Sequence, residues 1–338
     1  MSGPAAGSPS PAHGASPPAG PAPKAVADNF LQLRVLVPFV VVTLIWSSTW
    51  IVILGQLGPV PAAWSVTYRF AIAAAAMFAY AAATRSPLTI GREGHILAAI
   101  CGVPQFCINY IAVYAAEDHV TSGLVAVMFS LLLVPNSAMA WLFLRQRPSG
   151  RFLAGSAVAA VGVALLFVQE LRSSRASSHD VLLGILFTLA AILAASAANT
   201  LQGSQRVRMR PVTAMVAWSM LYGVIANGAV AWLLAGPPVL DGRLEYWIGL
   251  LYLGLLGSAL AFALYYHVIR AVGPGKAAYS SLLVPLLAML LSTLFEGYRW
   301  TPLAIAGGVV AMAGLGIALR SRRQPAPEVA ECEAMSTP

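Results

Sequence analysis

The chain has 338 residues, of which 59% are hydrophobic and only 9% charged, with a formal net charge of +8. A soluble domain carries about 25% charged residues, so this composition excludes a water-soluble globule and calls for a bilayer as solvent. The basic excess does not imply nucleic-acid binding, because it collects in loops. Cys101, Cys107 and Cys332 lack metal or redox spacing.

Residues 1–30 are rich in Pro, Gly, Ala and Ser and contain a single Lys. With almost nothing to bury, this segment is expected to be a disordered tail. It lacks the basic start and following apolar core of a signal peptide. Ten apolar stretches come next, at about 36–56, 62–84, 95–114, 121–144, 152–169, 182–201, 212–234, 246–269, 277–295 and 302–319. Each is near the ~20 residues that a spanning helix needs. The turn Gly58-Pro-Val-Pro61 separates the first two, since neither proline can continue a helix. From 321 to 338 the chain is polar and Pro-containing, and is expected to be a cytoplasmic tail.

Lys and Arg set the expected orientation. With the N-terminus inside, the inner loops and ends hold fifteen of the 20 basic residues. The outer loops hold Arg172, Arg175, Arg243 and Arg299, and Arg69 falls within a span. Acids such as Glu117, Asp118, Asp180 and Glu296 gather on the outer side. Both termini are therefore expected in the cytoplasm.

A hexapeptide appears twice. Ser130-Leu-Leu-Leu-Val-Pro135 returns as Ser280-Ser-Leu-Leu-Val-Pro285, and each copy is followed by Gly-x3-Ala-x2-Gly: Gly155, Ala159, Gly162, then Gly307, Ala311, Gly314. The chain thus divides into two related halves of five helices, 31–170 and 180–320. Five is odd, so the halves must enter the membrane in opposite directions. An inverted repeat of this kind recurs in transporters, with the substrate site near the midplane where the halves meet. The small-residue frames are packing surfaces, either inside each half or between subunits.

Further residues carry a family likeness. Leu44-Ile-Trp-Ser-Ser-Thr-Trp50, Tyr68-Arg69-Phe70, Gly257-Ser-Ala-Leu-Ala-Phe-Ala-Leu-Tyr-Tyr266, Leu294-Phe-Glu296 and the two Val-Pro segments resemble the EamA-type members of the drug/metabolite transporter superfamily. The likeness covers roughly 36–320. It departs at Ser47, where Gly is usual, at Gln146, where Glu is usual, and at Ala195-Ser-Ala-Ala-Asn199 in the second half. The resemblance implies an all-α integral membrane protein of ten transmembrane helices, built as two inverted five-helix EamA-like repeats. It also implies a cavity lined by helices 1, 3, 4, 6, 8 and 9, and export of amino acids or related metabolites across a bacterial inner membrane.

Within that frame, Pro135 and Pro285 are read as helix kinks, because a mid-helix proline leaves a carbonyl without its amide donor. Arg69, about two turns inside helix 2, either binds a substrate carboxylate or phosphate, or has a structural role, snorkelling or pairing with a neighbouring carbonyl or acid; the structural reading is favoured. The candidate substrate-binding set is Trp46, Ser47, Arg69, Asn109, Tyr110, Asn136, Asn199, Tyr265, Tyr266 and Tyr279. Gln105 and Asn109 share a helix face at i and i+4. No Asp or Glu falls in the middle of a span, which leaves His267 or an outer acid for any proton coupling.

The expected function is alternating-access export of a small molecule, with membrane lipid around the chain, no cofactor, no metal, no nucleic acid, and a monomer or homodimer as the assembly. A nucleotide-sugar or sugar-phosphate exchanger would need more intramembrane base than Arg69. A membrane enzyme would need clustered His, Asp or Glu at depth, and a scaffold or receptor would not need matched inverted prolines.

Overall fold

The structure, a computed structural model, describes residues 32–144, 149–173, 178–202, 204–265, 268 and 280–320. The described residues are helical with short connections. In chain order they form α1 (Leu33–Leu54), α2 (Ala62–Ala83), α3 (Gly91–Glu117), α4 (Ser122–Phe143) and α5 (Gly150–Ser173). There follow α6 (Ser178–Gln202), α7 (Val212–Ala235), α8 (Leu244–Tyr265), α9 (Ser280–Phe295) and α10 (Pro302–Arg320). Seven of these, α1 to α4 and α6 to α8, are long and apolar enough to cross a bilayer. In α5, α9 and α10 the described apolar stretches are shorter, at Gly150–Leu166, Leu283–Phe295 and Pro302–Ala318. The expected tails, 1–30 and 321–338, lie outside the described residues.

Burial is arranged for a lipid solvent. Leu142, Phe143, Leu186, Leu193, Leu233 and Leu234 are exposed, while Arg69, Ser219, Thr188 and Asn227 are buried. Polar groups that cannot be hydrated are turned toward protein, and apolar ones face outward.

Helices from the two halves interleave. α2 packs on α7, α5 on α10 and α4 on α9. α1 packs on α8 and α9, and α6 packs on α3 and α4. Exchanging each helix with the one five places later maps these pairings onto one another. The small-residue frames belong to this interleaving. A Cβ on Gly155 would sit 2.4 Å from the Ala318 amide nitrogen, and one on Gly314 would sit 2.2 Å from that of Ala159. The frames therefore join α5 to α10 across the halves, and not helices within one half as one expectation had it. Only the lack of side chains lets two backbones approach so closely.

Two helices carry π-helical segments, Val103–Ile108 in α3 and Tyr252–Leu260 in α8. In α3, Pro104 has no amide to donate, so the regular ladder cannot pass through it. Asn227 of α7 donates from Nδ2 to the Phe106 carbonyl at 2.8 Å, which satisfies an acceptor inside this irregular stretch. The two repeat prolines behave differently. α4 switches to a 3₁₀ turn at Ser130–Leu132, just ahead of Pro135, whereas α9 runs as one α-helix through Pro285.

Candidate functional site

The helices of both halves enclose a cavity of about 250 Å³. α1 contributes Trp46, Thr49, Trp50 and Ile53; α2 contributes Arg69; α3 contributes Gln105, Asn109, Tyr110 and Val113. The remaining wall comes from Ala126, Phe129, Ser130 and Leu132 on α4, Ala195 and Asn199 on α6, Phe262 and Tyr265 on α8, and Ser280, Val284 and Pro285 on α9.

Its chemistry is an aromatic wall with a few polar atoms. The Trp46 ring lies 4.9 Å from Tyr265 and 5.8 Å from Phe262, centroid to centroid, and its indole N–H donates to the Gly257 carbonyl at 3.3 Å. Such tilted and edge contacts hold large rings in place. The Gly257 carbonyl lies in the π segment of α8, so the irregular backbone and the Trp46 orientation support each other. On another side, Trp50 packs on Phe129 at 5.2 Å, and its own N–H has no protein partner.

Arg69 is only 1% exposed. It does not snorkel. Its guanidinium carbon stands 4.5 Å over the Tyr110 ring and 5.5 Å from that of Phe70, and its Nε donates to Ser258 Oγ at 3.2 Å. One terminal amino group, Nη1, has no hydrogen-bond partner. A desolvated guanidinium gains more from stacking on an aromatic ring than an exposed one does. It still needs acceptors for its outer donors, and a buried donor left without one costs roughly 1–3 kcal/mol. Helix 2 was not expected in the cavity wall, and Arg69 brings it there.

Asn109 is likewise buried. Its Nδ2 donates to the Gln105 carbonyl at 3.2 Å and its Oδ1 is unpartnered. The structure thus gathers Trp46, Arg69, Asn109, Tyr110, Asn199, Tyr265 and Pro285 from the expected set around one cavity. Ser47 is elsewhere, since it is buried and bonds back to the Thr43 carbonyl at 2.6 Å. Asn136 and Pro135 also lie off the cavity wall, one turn beyond Leu132. Tyr266 and Tyr279, with His267, fall outside the described residues. Asn227 was not anticipated; its signal was a lone Asn in an otherwise apolar run. Among the described residues no three His, Cys, Asp or Glu side chains gather to hold a metal.

The sequence pattern of the EamA-like transporter family matches residues 34–168 and matches again over 182–320. The chain belongs to the EamA-like transporter family. Protein PagO of Salmonella typhimurium is 21% identical to it over 87% of this chain and 95% of that protein. A probable amino-acid metabolite efflux pump of the same organism is 25% identical, over 86% and 94%. A probable terminal-alkyne amino-acid exporter of Streptantibioticus cattleyicolor is 26% identical, over 64% of this chain and 70% of that protein. A solved crystal structure of a protein 17% identical superposes with a TM-score of 0.60, covering 84% of this chain and 96% of that one. At that identity the superposition speaks for the fold. As an EamA-like transporter with several helices apolar enough to span a bilayer, the protein is a multi-pass membrane protein.

Proposed function

We propose that this EamA-like protein exports amino acids or closely related metabolites by alternating access, from the inner membrane of a bacterium. In this reading ten helices cross the membrane as two inverted repeats, 31–170 and 180–320, with both termini in the cytoplasm. The protein performs no chemistry on its substrate. Support for the repeats comes from the two separate family matches and from helix pairings that survive the exchange of halves. Support for the cargo comes from the efflux and export functions given to two relatives.

The observation that carries the proposal is the cavity itself. It lies between the halves and joins one buried cation, Arg69, to an aromatic wall of Trp46, Phe262 and Tyr265. The positive charge of Arg69 would draw a substrate carboxylate, while the substrate's apolar side chain would lie on the rings. Arg69 is the only cation among the described wall residues. That suits one carboxylate better than the diphosphate of a nucleotide sugar.

The test is efflux of a labelled metabolite panel from proteoliposomes, with and without a pH gradient. Trp46→Ala, Asn109→Ala and Tyr265→Ala should each lower efflux without lowering folded yield. If no solute moves from liposomes with wild-type protein, export fails as a reading. If all three variants transport normally, the cavity is not the substrate path.

A further inference from the structure

A second polar assembly lies beside the cavity, where the α3–α4 turn meets the end of α9. Glu117, the last residue of α3, is only 4% exposed, and neither carboxyl oxygen has a hydrogen-bond partner. Glu296 follows α9; it accepts from the Ser122 amide at 3.1 Å and from the Ser292 hydroxyl. Glu117 is within electrostatic reach of both Glu296 and Arg69. Tyr114, fully buried, is within electrostatic reach of Arg69, of Glu117 and of Tyr246 on α8. Its hydroxyl makes no hydrogen bond of standard geometry. The hydroxyls of Thr121 and Ser122 are unpartnered as well. Nearby, His119 pairs with Asp180 of α6 at 3.7 Å, and Asp118 adjoins in sequence.

An ionised carboxyl in this place is costly on two counts. It has left water without gaining a donor, and the Glu296 carboxylate lies within electrostatic reach. Either cost disappears when one proton is bound. We propose that Glu117, set near the Glu296 carboxylate, binds a proton, and that this place is the coupling-ion site of the transporter.

The placement gives the proton a task. Glu296 on the second half ties itself to the first turn of α4 on the first half, so the pair sits on a contact between the halves. With one proton bound, the two carboxyls tolerate each other and this end stays closed. Loss of the proton leaves two like charges in a poorly solvated place, which favours separation of the α3–α4 turn from α9. In the proposed orientation this end faces outward. A proton taken from outside closes the emptied carrier, and its release toward the cavity, past Tyr114 and Arg69, accompanies the next outward opening. One proton moves in for each substrate that moves out. This role rests on the export reading, but proton binding by Glu117 does not.

The test therefore has a readout that needs no substrate. Infrared difference spectra of the protein in lipid, recorded across pH, should show a protonated-carboxyl band at neutral pH. Glu117→Gln should abolish it and Asp118→Asn should leave it. Glu296→Gln removes the opposing charge and should move the titration of the band to lower pH, which keeps the test alive if Glu117→Gln folds poorly. No such band, a band indifferent to both Gln variants, or a band displaced by sodium would overturn the proton site. In proteoliposomes, Glu117→Gln mimics the protonated state and should hold this end closed, so substrate exchange and gradient-driven efflux should both fall at least tenfold. Driven efflux by Glu117→Gln within about twofold of the wild type would overturn the coupling role while leaving export standing.

Discussion

Gly314→Ala is the sharpest test of how the two halves are joined. The added methyl would lie 2.2 Å from the Ala159 amide nitrogen, 2.7 Å from the Gly155 carbonyl oxygen and 2.8 Å from the Ala159 Cα. Against an ordinary contact of at least 3.5 Å, the first of these is short by about 1.3 Å. All three neighbours are backbone or attached directly to it, so no side chain can turn aside. α5 and α10 must part, and overpacking of this sort costs about 1–3 kcal/mol. Replacing a helical glycine with alanine also brings a gain of about 1 kcal/mol from helix propensity, which blurs a comparison with wild type. Gly308→Ala on the same helix removes that difficulty. A methyl there meets nothing within 4 Å, so it should collect the propensity gain alone. The difference between the two variants isolates the seam, and Gly314→Ala should be less stable than Gly308→Ala by about 1–3 kcal/mol. Reversible unfolding in mixed micelles of rising denaturing-detergent content, followed by tryptophan fluorescence, measures it. Equal stability within about 0.5 kcal/mol would refute the backbone contact between α5 and α10.

Two further outcomes concern polar groups outside the proposed transport path. Asn227→Ala leaves the Phe106 carbonyl buried without its donor, and should lower stability in the same unfolding assay by about 1–3 kcal/mol; a loss under about 0.5 kcal/mol would show that the π segment of α3 does not depend on α7. In the turn before α8, hydrogen bonds from the Arg243 side chain and amide hold the Asp241 carboxyl below its usual range. A depressed carboxyl adds stability above its unfolded value of about 3.9, and that stability is lost as pH falls through the lower folded value. Arg243→Gln should therefore flatten the fall of stability as pH drops below about 4; an unchanged acid profile would mean that the pair does not persist in solution.

The membrane class and most helix positions were legible in the sequence, because a lipid solvent demands long apolar runs and the loop charges punctuate them. The repeat was legible for a different reason. Prolines and glycines mark backbone geometry, and geometry is what two related halves share. Depth was harder to read. Arg69 falls close enough to a helix end to reach the surface, and nothing in its own neighbourhood says that Tyr110 and Ser258 will enclose it instead. Ser47 shows the opposite error. Its place beside Trp46 suggested a cavity hydroxyl, but a serine in a helix can satisfy itself on the carbonyl four residues back, and Ser47 does. Glu117 was assigned to an outer helix end on sequence grounds, and its burial depends on the packing of its surroundings, which no local pattern encodes.

The interleaving of the halves also bears on how the chain is made. Arg69 finds Ser258 189 positions later, Trp46 finds the Gly257 carbonyl 211 positions later, and the Phe106 carbonyl waits 121 positions for Asn227. When the ribosome has delivered α1 to α5, none of these partners exists yet. The nascent first half holds a guanidinium, an indole N–H and a bare glycine ridge on α5 with only lipid, water or an insertion factor to meet them. Separation in sequence of this order makes assembly slow and the early intermediate exposed. Completion of the second half does more than close the cavity: it ends the interval in which the membrane itself must shelter the polar residues of the first.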